Sequence, residues 1–99
     1  MHFMAITNRN IEKAIELAQK YGASKLLLFG SALNDPENAN DLDLGVEGID
    51  GMKFFEFGGI LETMINAQVD IVDLSINSRF VSHIKKVGKY IYDSSRSIN

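Results

Sequence analysis

The chain has 99 residues, no cysteine and a formal net charge of −3. The missing cysteines exclude disulfides and thiolate metal sites, and the acidic balance argues against unaided binding to nucleic acid, whose affinity comes mainly from lysine and arginine on phosphates. No apolar run reaches the roughly 18 residues of a membrane span, and residues 1–10, MHFMAITNRN, lack a basic region followed by a long apolar segment, so a cytoplasmic location is expected.

A hydrophobic fraction of 45% fits an ordinary folded chain, read as one domain over residues 1–99. Residues 8–21 predict a helix, because Ile11, Ala14, Ile15 and Ala18 recur at helical spacing and Gly22 stands where a left-handed C-terminal cap belongs. KLLLFG (25–30) is a short apolar run stopped by glycine, the pattern of a buried strand. Residues 31–40 are rich in Asn, Asp and Pro and read as a loop. DLDLGVE (41–47) alternates, with Leu42, Leu44 and Val46 on one face of a second strand.

After the turn GIDG, residues 52–65 read as a helix with Phe54, Phe57, Leu61 and Met64 or Ile65 inward. Gly58 and Gly59 weaken it, since each glycine costs a helix about 1 kcal/mol relative to alanine. Phe54, Phe55 and Phe57 cannot all face one core, which leaves Phe55 for an interface with a partner or for adaptation within the core. QVDIVDL (68–74) is a strand by its β-branched content. Residues 78–87 predict a helix capped near Ser78 with Phe80, Ile84 and Val87 inward, and KYIYD (89–93) a last strand. The order α-β-β-α-β-α-β makes the fold class α/β or α+β, a small mixed sheet flanked by helices.

Asp41 and Asp43 carry the chemical signal. Side chains alternate along a strand, so both carboxylates share the face opposite Leu42 and Leu44. Their Cα atoms lie roughly 6.6 Å apart at about 3.3 Å per residue, a separation at which like charges repel by about 2.5 kcal/mol at an effective dielectric of 20. A divalent cation turns that penalty into attraction. Magnesium suits such a site because it takes carboxylate oxygens and shares its shell with substrate phosphates. The plain alternative is a solvated strand face. Gly30 and Ser31 weigh against it: a glycine ending a buried strand lets backbone approach a ligand, and the hydroxyl and amides beyond can hold phosphate oxygens. Phe29 and Leu33 occupy positions where a hydrolase nucleophile elbow needs glycine, no Gly-Lys-Ser/Thr follows, and Asn40 and Val46 break an EF-hand loop. His2 and His83 have no second metal ligand nearby in sequence and read as surface residues. Lys85, Lys86 and Lys89 form a basic cluster, read as a solvated helix end.

Gly30-Ser31, a ten-residue step from Ser31 to Asp41, and D-x-D on a strand together resemble the nucleotidyltransferase superfamily that includes DNA polymerase β. The pattern needs a third acid on a later strand. Asp70, in a Val-Asp-hydrophobic-Val context, matches it; Asp73 faces the other way and reads as a strand-end residue. LLLFGSAL, NDLDLGVE, AQVDIVDL and HIKKVGKYIYD extend the similarity over nearly the whole chain, closest to the minimal nucleotidyltransferases encoded as antitoxins beside HEPN-type toxins. The resemblance implies a polymerase β-like fold and Asp41, Asp43 and Asp70 as catalytic ligands of two Mg2+ ions. It implies nucleotide contacts at Gly30, Ser31 and Asn40, ATP as substrate, and AMP transfer to a tyrosine of a HEPN-type partner. Homo- or hetero-oligomers fit it equally. The chain departs from the family where Ala32, Leu33, Asn34 and Asp35 replace the arginine-containing G-S-R-A-R-G sequence. That loss of positive charge carries the alternative reading, a binding module of weak or no catalytic power that neutralises a toxin by contact.

Overall fold

The computed structural model describes residues 6–96; His2 lies outside them. Helix α1 (Asn8–Lys20) starts in a capping box, where the Thr7 side chain accepts from the Asn10 amide and the Asn10 side chain accepts from the Thr7 amide. It ends at Tyr21 with Gly22 left-handed at φ 81°, as expected. Strand β1 (Lys25–Phe29) follows. The stretch read as loop contains two short helical pieces instead, α2 (Ser31–Asn34) and a 3-10 turn (Pro36–Asn38). Both are a single turn long, too short for a periodicity to show in the sequence.

Strand β2 (Asp41–Glu47), helix α3 (Met52–Ile65), strand β3 (Gln68–Asp73), helix α4 (Arg79–Val87) and strand β4 (Lys89–Asp93) complete the order, with a 3-10 turn at Ser94–Arg96. Apart from α2, this is the expected succession. The four strands form one mixed sheet, ordered β3-β2-β1-β4. β1 runs antiparallel to β2 and β4, while β2 and β3 are parallel and joined through α3, the crossover that parallel strands require.

The two sheet faces are covered unequally. On one, α1 and α3 bury Ala14, Leu17, Ala18, Phe57, Leu61 and Ile65 against Leu26, Leu28, Leu42, Leu44, Val46 and Val69. This is the main core, and the Leu42/Leu44/Val46 stripe faces it as the alternation predicts. Phe57 is fully buried, Phe54 half-buried and Phe55 73% exposed, which settles the crowding of the three rings. Gly58 is buried in α3 where a Cβ would come within 2.9 Å of the Ile71 side chain, so the residue that weakens the helix also lets it lie close to β3.

The opposite face carries a smaller cluster, Leu27, Leu74, Val81 and Ile84, with Phe29 and Val72 packed against it. Helix α4, capped by the Ser78 hydroxyl accepting from the Val81 amide, supplies Val81 and Ile84. Two expectations fail here: Phe80 and Val87 are 53% and 55% exposed. Both Phe80-Ile84-Val87 and Val81-Ile84 are helical stripes sharing Ile84, and the helix turns the second to the sheet. α4 shields only part of this face, and the acidic residues lie on the remainder.

Candidate active site

Parallel pairing between β2 and β3 sets Asp43 directly beside Asp70 and Asp41 beside Gln68. Paired residues point to the same side of a sheet, and Asp41 and Asp43 are two residues apart, so the three carboxylates share one face. It is the face of the smaller cluster, because Phe29, the β1 partner of Asp43, packs there. Asp41 and Asp43 are half-buried and Asp70 is exposed. The choice between the two acids of β3 is decided by this register: Asp73 stands opposite Val46 at the strand end, where its Oδ1 accepts from the Ser75 amide (2.9 Å) and hydroxyl (2.7 Å).

Burial, then the charge of Asp70, then that of Asp41, push the Asp43 carboxyl above its usual pKa of 3.8. Among the described residues neither lysine nor arginine pairs with any of the three acids; the ion pair present joins Arg9 to Glu12 at the surface. The repulsion is therefore uncompensated by the chain. Gln68 Nε2 donates to both Asp70 oxygens, at 3.4 Å each, and holds that carboxylate from the same strand face. Gln68 was legible only as a neighbour at i−2; its role needed the pairing of the strands.

Gly30 closes the site on the other side. Its φ of 75° and ψ of −156° lie in a region open essentially to glycine alone. A Cβ there would collide with Asp43 Oδ2. The residue thus satisfies two demands at once: the sharp exit from β1 and the space that the Asp43 carboxylate occupies. The Gly30 carbonyl accepts from the Leu33 and Asn34 amides and from Asn34 Nδ2, each at 3.1 Å, which fastens the one-turn helix α2 to the strand end. Asn34, one of the residues replacing the family's arginine segment, is thereby engaged in holding the turn. Ser31 is exposed as the first residue of α2, and Asn40 is exposed immediately ahead of β2.

Hard, divalent cations fit this donor set by chemistry: three carboxylates, no lysine or arginine paired with them among the described residues, and backbone pressed against the central one. Among the described residues no three His, Cys, Asp or Glu side chains are gathered, as they stand, into a metal-holding group. The strand register nevertheless has Asp41, Asp43 and Asp70 on one face.

The chain and its fold have known relatives. The family described as polymerase beta, nucleotidyltransferase, matches residues 12–97. A Methanocaldococcus jannaschii protein named, provisionally, a protein adenylyltransferase is 34% identical over 61 residues, 58% of this chain and 71% of that protein. Among solved structures, a toxin–antitoxin complex with AMP-PNP superposes with a TM-score of 0.73 at 26% identity, over 88% of this chain and 74% of the other. A complex of tri-AMPylated Shewanella oneidensis HEPN toxin with its MNT antitoxin shares the fold, with a TM-score of 0.70 at 23% identity over 89% and 73% of the two chains. No helix among the described residues is long and apolar enough to cross a membrane. The match spans nearly the whole chain, from α1 through the last strand, and this protein belongs to the polymerase β-type nucleotidyltransferase family.

Proposed function

We propose that this nucleotidyltransferase moves AMP from ATP to a hydroxyl on a HEPN-type protein partner, acting as the antitoxin of a toxin–antitoxin pair. The observation that carries the reading is the register: Asp43 lies beside Asp70 on the next strand and against Gly30 at the end of the previous one. A negatively charged face touching a tight backbone turn suits a metal-bound triphosphate. The names of the related structures, an antitoxin beside an AMPylated HEPN toxin and a complex with AMP-PNP, support the acceptor and the nucleotide.

In this reading Asp41, Asp43 and Asp70 would be the residues that hold the Mg2+ ions accompanying the triphosphate. Bound magnesium stabilises charge on the entering and departing oxygens. Gly30 and Ser31 present backbone amides and a hydroxyl to the β- and γ-phosphates, and Asn40 lines the approach to Asp41. The acceptor oxygen attacks the α-phosphorus in line, the bond from that phosphorus to the bridging oxygen breaks, and pyrophosphate leaves. Asp70, exposed and accepting from Gln68 Nε2, would serve either as ligand of the second ion or as the base that takes the hydroxyl proton. No covalent intermediate with the chain is needed.

Incubating the purified chain with α-labelled Mg-ATP and its HEPN-type partner tests this. Label is expected on the partner, and Asp43→Asn is expected to abolish it. A partner silenced without label would instead favour neutralisation by contact, the reading that the absence of arginine from residues 32–35 supports.

A further inference from the structure

The aromatic residue that periodicity assigns to the core, Phe80, stands half in solvent on the same sheet face as the three acids. Its neighbour is specific. The Phe80 ring meets that of Phe29 edge to face, with centroids 6.1 Å apart and planes at 77°. Phe29 is the strand partner of Asp43, and directly opposed residues of an antiparallel pair stand side by side on one face. Asp70, Asp43 and Phe29 therefore stand side by side on three neighbouring strands, and the Phe80 ring of α4 lies against Phe29. An edge-to-face pair uses the edge of one ring and one face of the other, so an aromatic surface stays open, and Phe80 keeps 53% of its area exposed.

Single exposed apolar residues need no explanation. This one rests against a second ring, itself packed on the Leu27–Leu74–Val81–Ile84 cluster. A half-exposed aromatic ring on the face that carries the three acids matches one chemical class well: a molecule with phosphates at one end and a flat, apolar-faced ring at the other. We propose that Phe80, braced by Phe29, is the platform on which the base of the nucleotide stacks, while its phosphates lie at Asp43 and Gly30. The proposal rests on the nucleotide reading above and adds the base site to it. Stacking uses the π-face that every base has, so this platform holds a base without selecting strongly among them.

Isothermal titration of the full chain separates the two ideas, using Mg-ATP and Mg-tripolyphosphate, which lacks base and sugar. Base–aromatic stacking of the usual strength predicts that Phe80→Ala weakens Mg-ATP binding by about 5- to 150-fold. Affinity for Mg-tripolyphosphate stays unchanged, and Phe80→Tyr, which keeps the ring, retains wild-type affinity for both. Asp43→Ala is expected to lose both ligands. Cross-relaxation between Phe80 ring protons and base protons in the wild-type complex gives a direct readout independent of any variant. Equal weakening of both ligands by Phe80→Ala, or an unchanged affinity for Mg-ATP with no ring-to-base cross-relaxation, overturns the platform and leaves the phosphate site standing. Failure of the wild type to bind either ligand overturns the nucleotide reading and the platform with it.

Discussion

Asp43 is the residue at which the cost of the site should be measurable without any substrate. It stands beside Asp70 on the neighbouring strand, where strands run about 4.8 Å apart, and two residues from Asp41 on its own. Two unit charges at roughly 5 Å repel by about 3 kcal/mol at an effective dielectric of 20 and by under about 1 kcal/mol in bulk water. Asp70 is exposed and Asp43 only half-buried, so screening brings the figure near the lower limit, about 1 kcal/mol. Asp43→Asn keeps the shape and removes the charge. In EDTA at pH 7 it should raise the melting temperature by about 4–8 °C, the shift that about 1 kcal/mol produces in a domain of 60–100 residues. The pH dependence has a definite sign. The folded state holds the Asp43 proton more tightly than the unfolded chain, so the penalty is full above the raised pKa and fades as pH falls toward 3.8. The advantage of the variant should fade with it. Saturating Mg2+ should raise the wild-type melting temperature and leave the variant nearly unmoved, closing the gap from the other side. Circular dichroism melts at several pH values, with and without Mg2+, measure all three effects. A variant less stable than wild type in EDTA at pH 7 would refute the electrostatic account, as would equal stabilisation of both proteins by Mg2+.

Two backbone substitutions test the surroundings of the site. Gly30→Ala should cost about 1–3 kcal/mol in urea unfolding from its dihedral angles alone, and more from the collision with Asp43 Oδ2; adding Asp43→Ala should recover the collision part only, which a double-mutant cycle reads directly. In α3, Gly59 has open space around it, so Gly59→Ala should stabilise by about 0.5–1 kcal/mol. Gly58→Ala should give less or none of that gain, because its Cβ would press on Ile71 at 2.9 Å; equal gains at both positions in urea titrations would contradict the close packing of α3 on β3.

Much of the architecture was legible from periodicity. The strand at Asp41–Glu47 and the one at Lys89–Asp93 fall where alternation and apolar content put them, and α1 and α3 lie within a residue of their predicted spans. These elements were readable because each buries one side against a single large core, so their patterns are clean. α4 was not: it lies over a half-covered face, where two overlapping stripes both satisfy helical spacing. Only the partner surface of Leu27 and Leu74 chooses between them, and it turns Phe80 and Val87 outward.

The site divides the same way. That Asp41 and Asp43 share a face and that a glycine ends the preceding strand could be read from the chain alone, since alternation along one strand and glycine's freedom at a turn are local physics. Tertiary structure decided the rest. Pairing of β2 with β3 crosses a helix, and a one-residue slip would have pointed Asp70 into the core and left Asp43 beside an apolar neighbour. The register that instead joins Asp43 to Asp70, seats Gly30 against the same carboxylate and brings Phe29 alongside is a property of three strands packed together. No single stretch of the chain contains it, because non-local pairing is set by which faces can be buried at once.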